Sequence, residues 1–566
     1  MSGCTALSLH HLTRIDQALR HWAQRQPEQL AFRFLSAGID VEHLSYGELD
    51  AAARGIAAGL MERIAPGQPV MLAYAPGLAF VRAYFGCLYA GLVPVPLELP
   101  RNARGATKLA TVAAVAGSTT LLSDTRSLAQ LALRAGSLEQ FSFNCIATDL
   151  FLSTPDLRDG ALPQIADSAP ALLQFTSGST GAPKGVVVSH AQLLANERAI
   201  ARAFGHDDTT VVAGWLPLFH DMGLIGNVLQ PVFLGRPCVL MSPLDFIGAP
   251  LRWLRAISDY GVSTSGGPNF GYALCTEKIA PGAADGLDLS RWRLAFNGAE
   301  PVRADVMRAF HARFGHCGFE RSSFYPCYGL AEATLFVVGS HWQDDQVNPT
   351  APVPCGVPGD ACTVLIADPE SGQSVADGGT GEIWLAGASV SQGYWNAPGA
   401  TAASFGAVSP ACPGQRWLRT GDLGLMRDGQ LVPAGRIKDL IIVRGVNHYP
   451  DDIEATVRRA APQLLASALF ALDGGRDPQL VAALELGRGR IDAQQAGELL
   501  TELRSAIAAE HGLALSSAVL LPVGALPRTS SGKLRRAACR EQFSAGTWDA
   551  ACLDRIAQGA VPIHST

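Results

Sequence analysis

Residues 173–190 read LQFTSGSTGAPKGVVVSH. Gly178 is followed, after four residues, by Pro183 and Lys184. The spacing nearly matches G-x-x-x-x-G-K-[ST], a loop that cradles nucleotide phosphates. Pro183 stands where the second Gly belongs, and Gly185 where the Ser or Thr belongs. The context differs as well. In that loop a strand runs into a helix whose N-terminus faces the phosphates. Here ALLQF reads as a strand, and Lys184 and Gly185 lead into VVVS, a second strand. A helix starts only near Ser189 or His190. What remains is a loop rich in hydroxyls, from Thr176, Ser177, Ser179 and Thr180. Gly178, Gly181 and Gly185 let an anion approach the backbone, and Lys184 adds a positive charge. Taken alone, the stretch fits either a surface hairpin loop or a phosphate-binding loop.

Other residues are equally ambiguous by themselves. Asp422 in TGDLG suits an ordinary turn, and Glu332 in GLAEAT a solvated helix charge. Lys533 in TSSGK suits a solvated side chain in a Gly/Ser-rich loop, and His220 in LFHDMG a structural loop histidine. Lysine usage adds a hint. The chain holds 44 Lys and Arg, yet lysine occurs only at Lys108, Lys184, Lys278, Lys438 and Lys533. Lys is a compact charge on a flexible stem and Arg a planar fork, so a retained lysine marks a position suited to the former.

These residues need elements to hold them. LSYGELDAAARGIAAGLMER predicts an amphipathic helix, PVMLAYA a buried strand, and AFVRAYFGCLYAGLVPVPL a helix followed by a strand punctuated by prolines. The alternation continues through VVAGWLPLF, PCVLMSPLDF and RLAFNGAE and predicts an α/β fold with parallel sheets. From about 354 to 435 short strands such as TVLIAD, GEIWLAG and QLVPAG alternate with Gly-rich turns, as in a meander or small barrel. Beyond Gly435 come a strand, a loop and a helix bearing Asp451 and Asp452 near its start. ASALFALD and QLVAALEL follow as strands, then AGELLTELRSAIAAEHG as a helix closed by Gly512. The expected boundary lies near 436–439, between an N-terminal domain of 1–437 and an α+β domain of 439–566.

Composition narrows the class. The 566 residues are 48% hydrophobic and 17% charged, with a net charge of −6 and no basic run. That argues against nucleic acid and anionic membranes as partners. MSGCTALSLHHLTRIDQALR lacks a basic region followed by an apolar core, and no apolar run reaches the length of a membrane span, so a cytoplasmic protein is expected. The 12 cysteines are scattered without a C-x-x-C pair, which predicts buried reduced thiols and neither zinc nor a disulfide framework.

TSGSTGAPKG resembles the phosphate loop of the adenylate-forming superfamily: acyl-CoA synthetases, peptide-synthetase adenylation domains and luciferases. The other signatures of that superfamily follow in order. They are NGAEP at 297–301, YGLAEAT at 328–334, RTGDLG at 419–424, GRIKDLIIVRG at 435–445 and LPRTSSGKLRR at 526–536. The set spans almost the whole chain. The resemblance implies a large N-terminal α/β domain with a small distorted β-barrel, and a small mobile α+β lid hinged at Lys438. It implies ATP and Mg2+, because carboxylate attack on ATP needs cations to offset charge at the α-phosphate. Thr176, Ser177, Gly178, Ser179, Thr180, Gly181 and Lys184 would then hold phosphates. Glu332 would be the magnesium-associated carboxylate, with Thr180 on phosphate or metal. Asn297, Gly298, Ala299 and Glu300 would wall the adenine pocket, with Tyr328 stacked on the base and Gly329 and Ala331 beside it. Asp422, an acceptor-only group, would take two ribose hydroxyls with support from Arg436. Lys533 would be the catalytic lysine, bridging acyl carboxylate and α-phosphate.

Within the superfamily the chain looks most like the fatty acyl-AMP ligases, on FRFL, LSYGELDAAAR, YAPGLAFVRAYFGCLYAGLVPVPLELP, LPLFHDMGLIG, SGGPNFGYALC, FNGAEPVRA and IIVRGVNHYPDDIEATV. That family hands a fatty acyl-adenylate to the phosphopantetheine thiol of a holo acyl carrier protein. A medium- or long-chain fatty acid is the implied substrate, and a monomer or weak dimer the implied state. His220 would lie near the reacting carboxylate or gate the acyl tunnel, with the structural reading kept beside it. Met222, Gly267, Pro268 and Phe270 are candidate tunnel residues. In one respect the chain departs from the family, which usually carries an extra segment after YGLAEAT. Here only LFVVGSHWQDDQVNPTAPVP precedes CGVPG, so coenzyme A stands as the alternative acceptor. An amino-acid adenylation domain is disfavoured, because SGGPNFGYALC offers no Asp for a substrate ammonium. A non-catalytic protein on the same fold is disfavoured by the presence of Thr180, Glu332, Asp422, Arg436 and Lys533 together.

Overall fold

The predicted amphipathic helix runs Tyr46–Met61. Ser45 accepts from the Glu48 amide, and the Glu48 carboxylate accepts from the Ser45 amide, closing a capping box. Leu49, Ala53, Ile56 and Leu60 form its buried face at helical spacing. The proline-punctuated strand, Val93–Glu98, lies at the edge of a parallel four-stranded sheet. Its order is Val93–Glu98, Pro69–Tyr74, Thr120–Ser123 and Asn144–Ala147. Pro94 and Pro96 cannot donate to a ladder, and an edge tolerates that. The computed structural model describes residues 9, 11–134, 143–152, 157, 159–177, 183–343, 352–359, 362–443, 446–472, 478–487, 492–528, 533–548 and 554–557.

A second sheet of eight strands carries most of the predicted site. Its order is Phe336–Gly339, Phe324–Gly329, Leu294–Asn297, Thr264–Gly267, Val212–Gly214, Cys238–Met241, Leu30–Ser36 and Ile39–Ser45. The six inner strands are parallel, and the outermost pair at each end is antiparallel. The short strands end side by side at Gly267, Asn297 and Gly329. In open parallel sheets ligands bind outside such carboxyl ends.

Aromatic packing fixes these strands. Trp253 Nε1 donates to Ser265 Oγ at 2.8 Å, Trp292 Nε1 to the Ser265 carbonyl at 3.0 Å, and Tyr272 Oη to the Phe296 carbonyl at 2.8 Å. All three aromatics are fully buried, so each brings a large apolar body and a satisfied polar tip.

The hairpin read from the sequence is present. Pro170–Ser177 pairs antiparallel with Pro183–Ser189, and helix His190–Ala203 follows, capped by Ser189 and Gln192. The β-rich region, read as a meander or small barrel, is a five-stranded sheet. Thr363–Ala367, Gly381–Ala386, Cys412–Arg427 and Ala407–Ser409 lie in that order, and Gln430–Arg436 pairs with Cys412–Arg427.

The chain forms two compact units. One gathers Met1–Thr420 and Leu425–Pro433, the other Gly421–Gly424 and Ala434–Thr566. The smaller unit holds a four-stranded sheet in the order Leu464–Leu472, Gln479–Leu486, Leu515–Leu521 and Asp554–Ala557. Helices Pro450–Ala460, Ala493–His511 and Arg536–Ser544 accompany it, and Gly512 ends the second in the left-handed region at φ 65°. One segment differs from the sequence reading. The loop expected before Pro450–Ala460 contains a strand, Val446–His448, paired with Ile441–Val443. No helix of the described residues is long and apolar enough to cross a membrane. The ten described cysteines are free thiols, but Cys145 and Cys412 are exposed where buried thiols were expected, while burial pushes Cys327 and Cys362 up to about 12.

A polar chain lies buried in the larger unit. His206 Nε2 pairs with Thr264 Oγ1, and His206 Nδ1 with the Gln230 side chain, each at 3.2 Å. The Gln230 amide, oriented to donate, reaches Glu197. Burial lowers His206 to about 3 and holds Glu197 well above the usual carboxylate range. The folded chain therefore keeps His206 neutral, whereas the unfolded chain protonates it near its ordinary value of about 6.5. Because the folded value is the lower one, this stability is complete above the unfolded value and is lost as pH falls toward the folded value. The slope of unfolding free energy between about pH 6 and about pH 4 is expected to be steeper in the wild type than in His206→Gln by about 1.4 kcal/mol per pH unit. Urea unfolding at spaced pH values measures the difference, and equal slopes would refute it.

Candidate active site

In the hairpin, Thr176 lies opposite Lys184 and Ser177 opposite Pro183. Gly178, Ser179, Thr180 and Gly181 lie outside the described residues, as does the Ser177 side chain. Lys184 Nζ stands 4.8 Å from the centroid of the Tyr394 ring. Tyr394 Oη donates to Glu332 Oε1 at 2.9 Å. Glu332 sits in a single tight turn, Ala331–Ala333, just beyond strand Phe324–Gly329. The next residue, Thr334, has φ 69° and donates its hydroxyl to the Ser389 carbonyl at 2.7 Å. The structure thus brings Lys184 and Glu332 onto one tyrosine, a residue the sequence reading did not single out.

The predicted adenine wall follows the carboxyl ends of two neighbouring strands. Asn297 donates from Nδ2 to Asn269 Oδ1 at 3.2 Å, which also accepts from the Arg303 amide. A Cβ at Gly298 would meet Cys327 backbone and sulfur at 2.7 Å, and one at Gly329 would meet the Leu335 carbonyl at 1.8 Å. Both positions require glycine for this close passage. Ala299 has φ 67°, in the left-handed region where non-glycine residues are uncommon. Tyr328 is half-buried and packs beside the cluster around Val337 and Val338, while Ala331 is buried. Glu300 Oε1 accepts from the Phe270 amide at 2.7 Å, at the start of helix Asn269–Lys278. That bond joins the predicted adenine wall to the predicted acyl tunnel.

Of the tunnel residues, Gly267 ends its strand, Pro268 caps the helix and Phe270 lies in its first turn. His220 caps the turn Asp221–Leu224, which contains Met222 and continues into a π-helical turn, Ile225–Leu229. Gln174 of the hairpin donates to the Phe219 carbonyl at 3.0 Å and ties the loop before His220 to that hairpin. Trp215, also absent from the sequence reading, lies against Gly267 and Gly271. It stacks on Phe246 at 4.0 Å and meets Phe270 edge-on at 5.6 Å.

Asp422, Arg436, Lys438 and Lys533 belong to the smaller unit. Arg436 Nε and Asp422 Oδ1 pair at 3.0 Å, with the carboxylate buried and the guanidinium mostly exposed. Lys438 lies in the turn Ile437–Asp439, and Lys533 is exposed. Arg536 binds Glu454 at 2.8 and 2.7 Å, Asp439 at 3.4 Å, and also Asp451.

Among the described residues no group of three or more His, Cys, Asp or Glu could hold a metal ion. Glu332 offers one carboxylate near a lysine. That suits a magnesium ion carried by nucleotide phosphates, which takes one or two protein carboxylates, and not an all-protein cage.

With this geometry the chain matches the AMP-binding enzyme family over residues 19–395. Residues 438–551 match the AMP domain of Disco-interacting protein 2-like proteins. The chain is 37% identical over 569 residues to the medium-chain-fatty-acid--[acyl-carrier-protein] ligase JamA of Moorena producens (strain JHB), covering 95% of this chain and 96% of that protein. It is 35% identical to the long-chain-fatty-acid--AMP ligase FadD26 of Mycobacterium marinum, covering 94% of this chain and 97% of that one. A solved fatty acyl-adenylate ligase from L. pneumophila, in complex with acyl adenylate and pyrophosphate, is similar with a TM-score of 0.72 and 34% identity, covering 96% and 98% of the two chains. The chain belongs to the AMP-binding enzyme family, the adenylate-forming superfamily whose motifs it carries in order.

Arg536→Met keeps the side-chain length and removes the guanidinium, leaving Glu454 buried beside Asp451. Breaking one partner of such a buried pair costs about 3–5 kcal/mol. Helix Pro450–Ala460 is expected to lose hydrogen-exchange protection accordingly in the full chain. Adding Glu454→Gln is expected to restore part of it. Unchanged protection in the single variant would show that the pair does not hold this unit together.

Proposed function

We propose that this chain is a fatty acyl-AMP ligase that charges an acyl carrier protein. A fatty-acid carboxylate oxygen attacks the α-phosphorus of ATP, the bond to pyrophosphate breaks, and acyl-AMP forms. The phosphopantetheine thiol of a holo carrier protein then attacks the acyl carbonyl, and AMP leaves. The observation that carries this reading is likeness along nearly the whole chain to a protein named as a medium-chain-fatty-acid--[acyl-carrier-protein] ligase.

The residue roles follow the motifs. Lys533 bridges the acyl carboxylate and the α-phosphate. Thr176, Ser177, Gly178, Ser179, Thr180, Gly181 and Lys184 hold the leaving phosphates. Asp422 takes the ribose hydroxyls, oriented by Arg436. Tyr328 stacks on adenine, and Asn297, Gly298 and Ala299 border it with Gly329 and Ala331. Glu300 contributes there through its backbone, because its carboxylate holds the helix that begins the acyl site. Met222, Gly267, Pro268 and Phe270 line the acyl chain, Trp215 stands among them, and His220 lies toward the carboxylate end. Magnesium offsets charge on the phosphates when bound, and Glu332 and Thr180 are the residues that would hold it. Lys438 is the hinge of a C-terminal lid domain. We read the protein as a cytoplasmic monomer or weak dimer.

The second reading is an acyl-CoA synthetase, favoured by the short segment between YGLAEAT and CGVPG. Incubating enzyme, ATP and a medium-chain fatty acid with either coenzyme A or a holo carrier protein separates the two. Acyl carrier protein is expected to be acylated, and robust acyl-CoA formation would overturn that acceptor. Lys533→Ala is expected to reduce acyl-AMP formation by at least about 100-fold while leaving transfer from supplied acyl-AMP largely intact. Equal loss of both half-reactions would refute its role.

A further inference from the structure

Glu332 is fastened twice to one segment, residues 389–395. Its carbonyl accepts from the Ser391 amide at 2.8 Å, and its carboxylate accepts from Tyr394 Oη at 2.9 Å. The same segment is fastened to the returning strand of the phosphate hairpin. The Val187 amide donates to the Gly393 carbonyl at 3.0 Å, and the Trp395 amide to the Gly185 carbonyl at 2.7 Å. Ser391 Oγ donates to the Val187 carbonyl at 2.7 Å. Tyr394 itself is braced, its amide on Thr401 Oγ1 at 2.9 Å and its ring edge-on to Phe405 at 5.3 Å. One side chain therefore meets Lys184 with its face and Glu332 with its tip.

We infer that Tyr394 is a positioning residue that sets Lys184 and Glu332 as a pair for magnesium-bound nucleotide, an inference that rests on the adenylation reading above. The chemistry asks for a cation on phosphate and a carboxylate on metal, close together. A direct Lys–Glu ion pair would cancel both charges. A phenol between them does not. The ring face attracts the ammonium through its quadrupole, without a formal counter-charge. The hydroxyl donates to the carboxylate and fixes its direction while leaving its charge in place. The lysine above the ring also withdraws electron density, which makes the hydroxyl a stronger donor. Mg2+ demands near-ideal geometry from few protein ligands, so the orientation of a lone carboxylate matters to it more than to ATP alone.

The test is binding of ATP to the full chain by calorimetry, without fatty acid, in magnesium and in EDTA. Tyr394→Phe keeps the ring at Lys184 and removes the hydroxyl. It is expected to weaken MgATP binding about tenfold, the worth of one hydrogen bond to a charged group, and to leave metal-free ATP within about twofold. Tyr394→Leu removes the ring too and is expected to weaken both. In pyrophosphate-release assays the magnesium concentration for half-maximal rate is expected to rise by a similar factor in the Phe variant, with kcat at saturating magnesium within about threefold. Equal MgATP affinity in wild type and Tyr394→Phe would overturn the inference. So would equal weakening with and without magnesium, the mark of a merely structural role. Failure of the adenylation reading looks different: the wild type would release no pyrophosphate with any fatty acid, and the binding comparison would still decide Tyr394.

Discussion

Strands Thr264–Gly267, Leu294–Asn297 and Phe324–Gly329 run parallel and stop at one edge of their sheet. That shared edge is the constraint on which the rest of the larger unit depends. Each strand is short, so the residue that follows its last ladder position leaves the sheet in a fixed direction. Three chain segments thereby arrive together: Pro268 with its helix, the Gly298–Ala299 turn, and the tight turn holding Glu332. Two glycines make the convergence sterically feasible, at Gly298 against Cys327 and at Gly329 against Leu335. Beneath them, buried aromatics bonded to Ser265 and Phe296 lock the strands in place.

The converging segments are also coupled laterally. Glu300 reaches from one strand end to the helix after the next, and Asn269 collects bonds from Asn297 and Arg303. The hairpin of Pro170–Ser177 and Pro183–Ser189, which belongs to neither large sheet, is bound to this frame by residues 389–395 on one side and by Gln174 on the other. The predicted adenine wall and the predicted acyl tunnel therefore share backbone, so displacing one displaces the other.

Much of this was legible in the sequence, because it rests on local rules. The apolar run VVVS after Lys184 and Gly185 announces a second strand, which made the hairpin context of Lys184 readable. The strand punctuated by prolines is present as Val93–Glu98, and Gly512 closes its helix as read. What escaped was non-local. Tyr394 in QGYWN reads as a packing aromatic, and its partners lie 62 residues away at Glu332 and on a distant strand at Lys184. Glu300 in NGAEP reads as a ligand contact, yet its carboxylate is used by a backbone amide 30 residues back. Trp215 has no polar signature at all. The hairpin of Ile441–Val443 and Val446–His448 was missed because its strands are too short to show alternation.

The guanidinium of Arg536 stands three residues beyond Lys533 and binds Asp439, the neighbour of Lys438. One planar group therefore ties the turn that holds Lys438 to the helix that follows Lys533. Glu454 and Arg536 are both largely withdrawn from water, so mobile ions screen their pair far less than they screen exposed charges. Ionic strength will thus weaken an exposed pair such as Arg459–Glu510 well before it reaches the bond between Arg536 and Glu454.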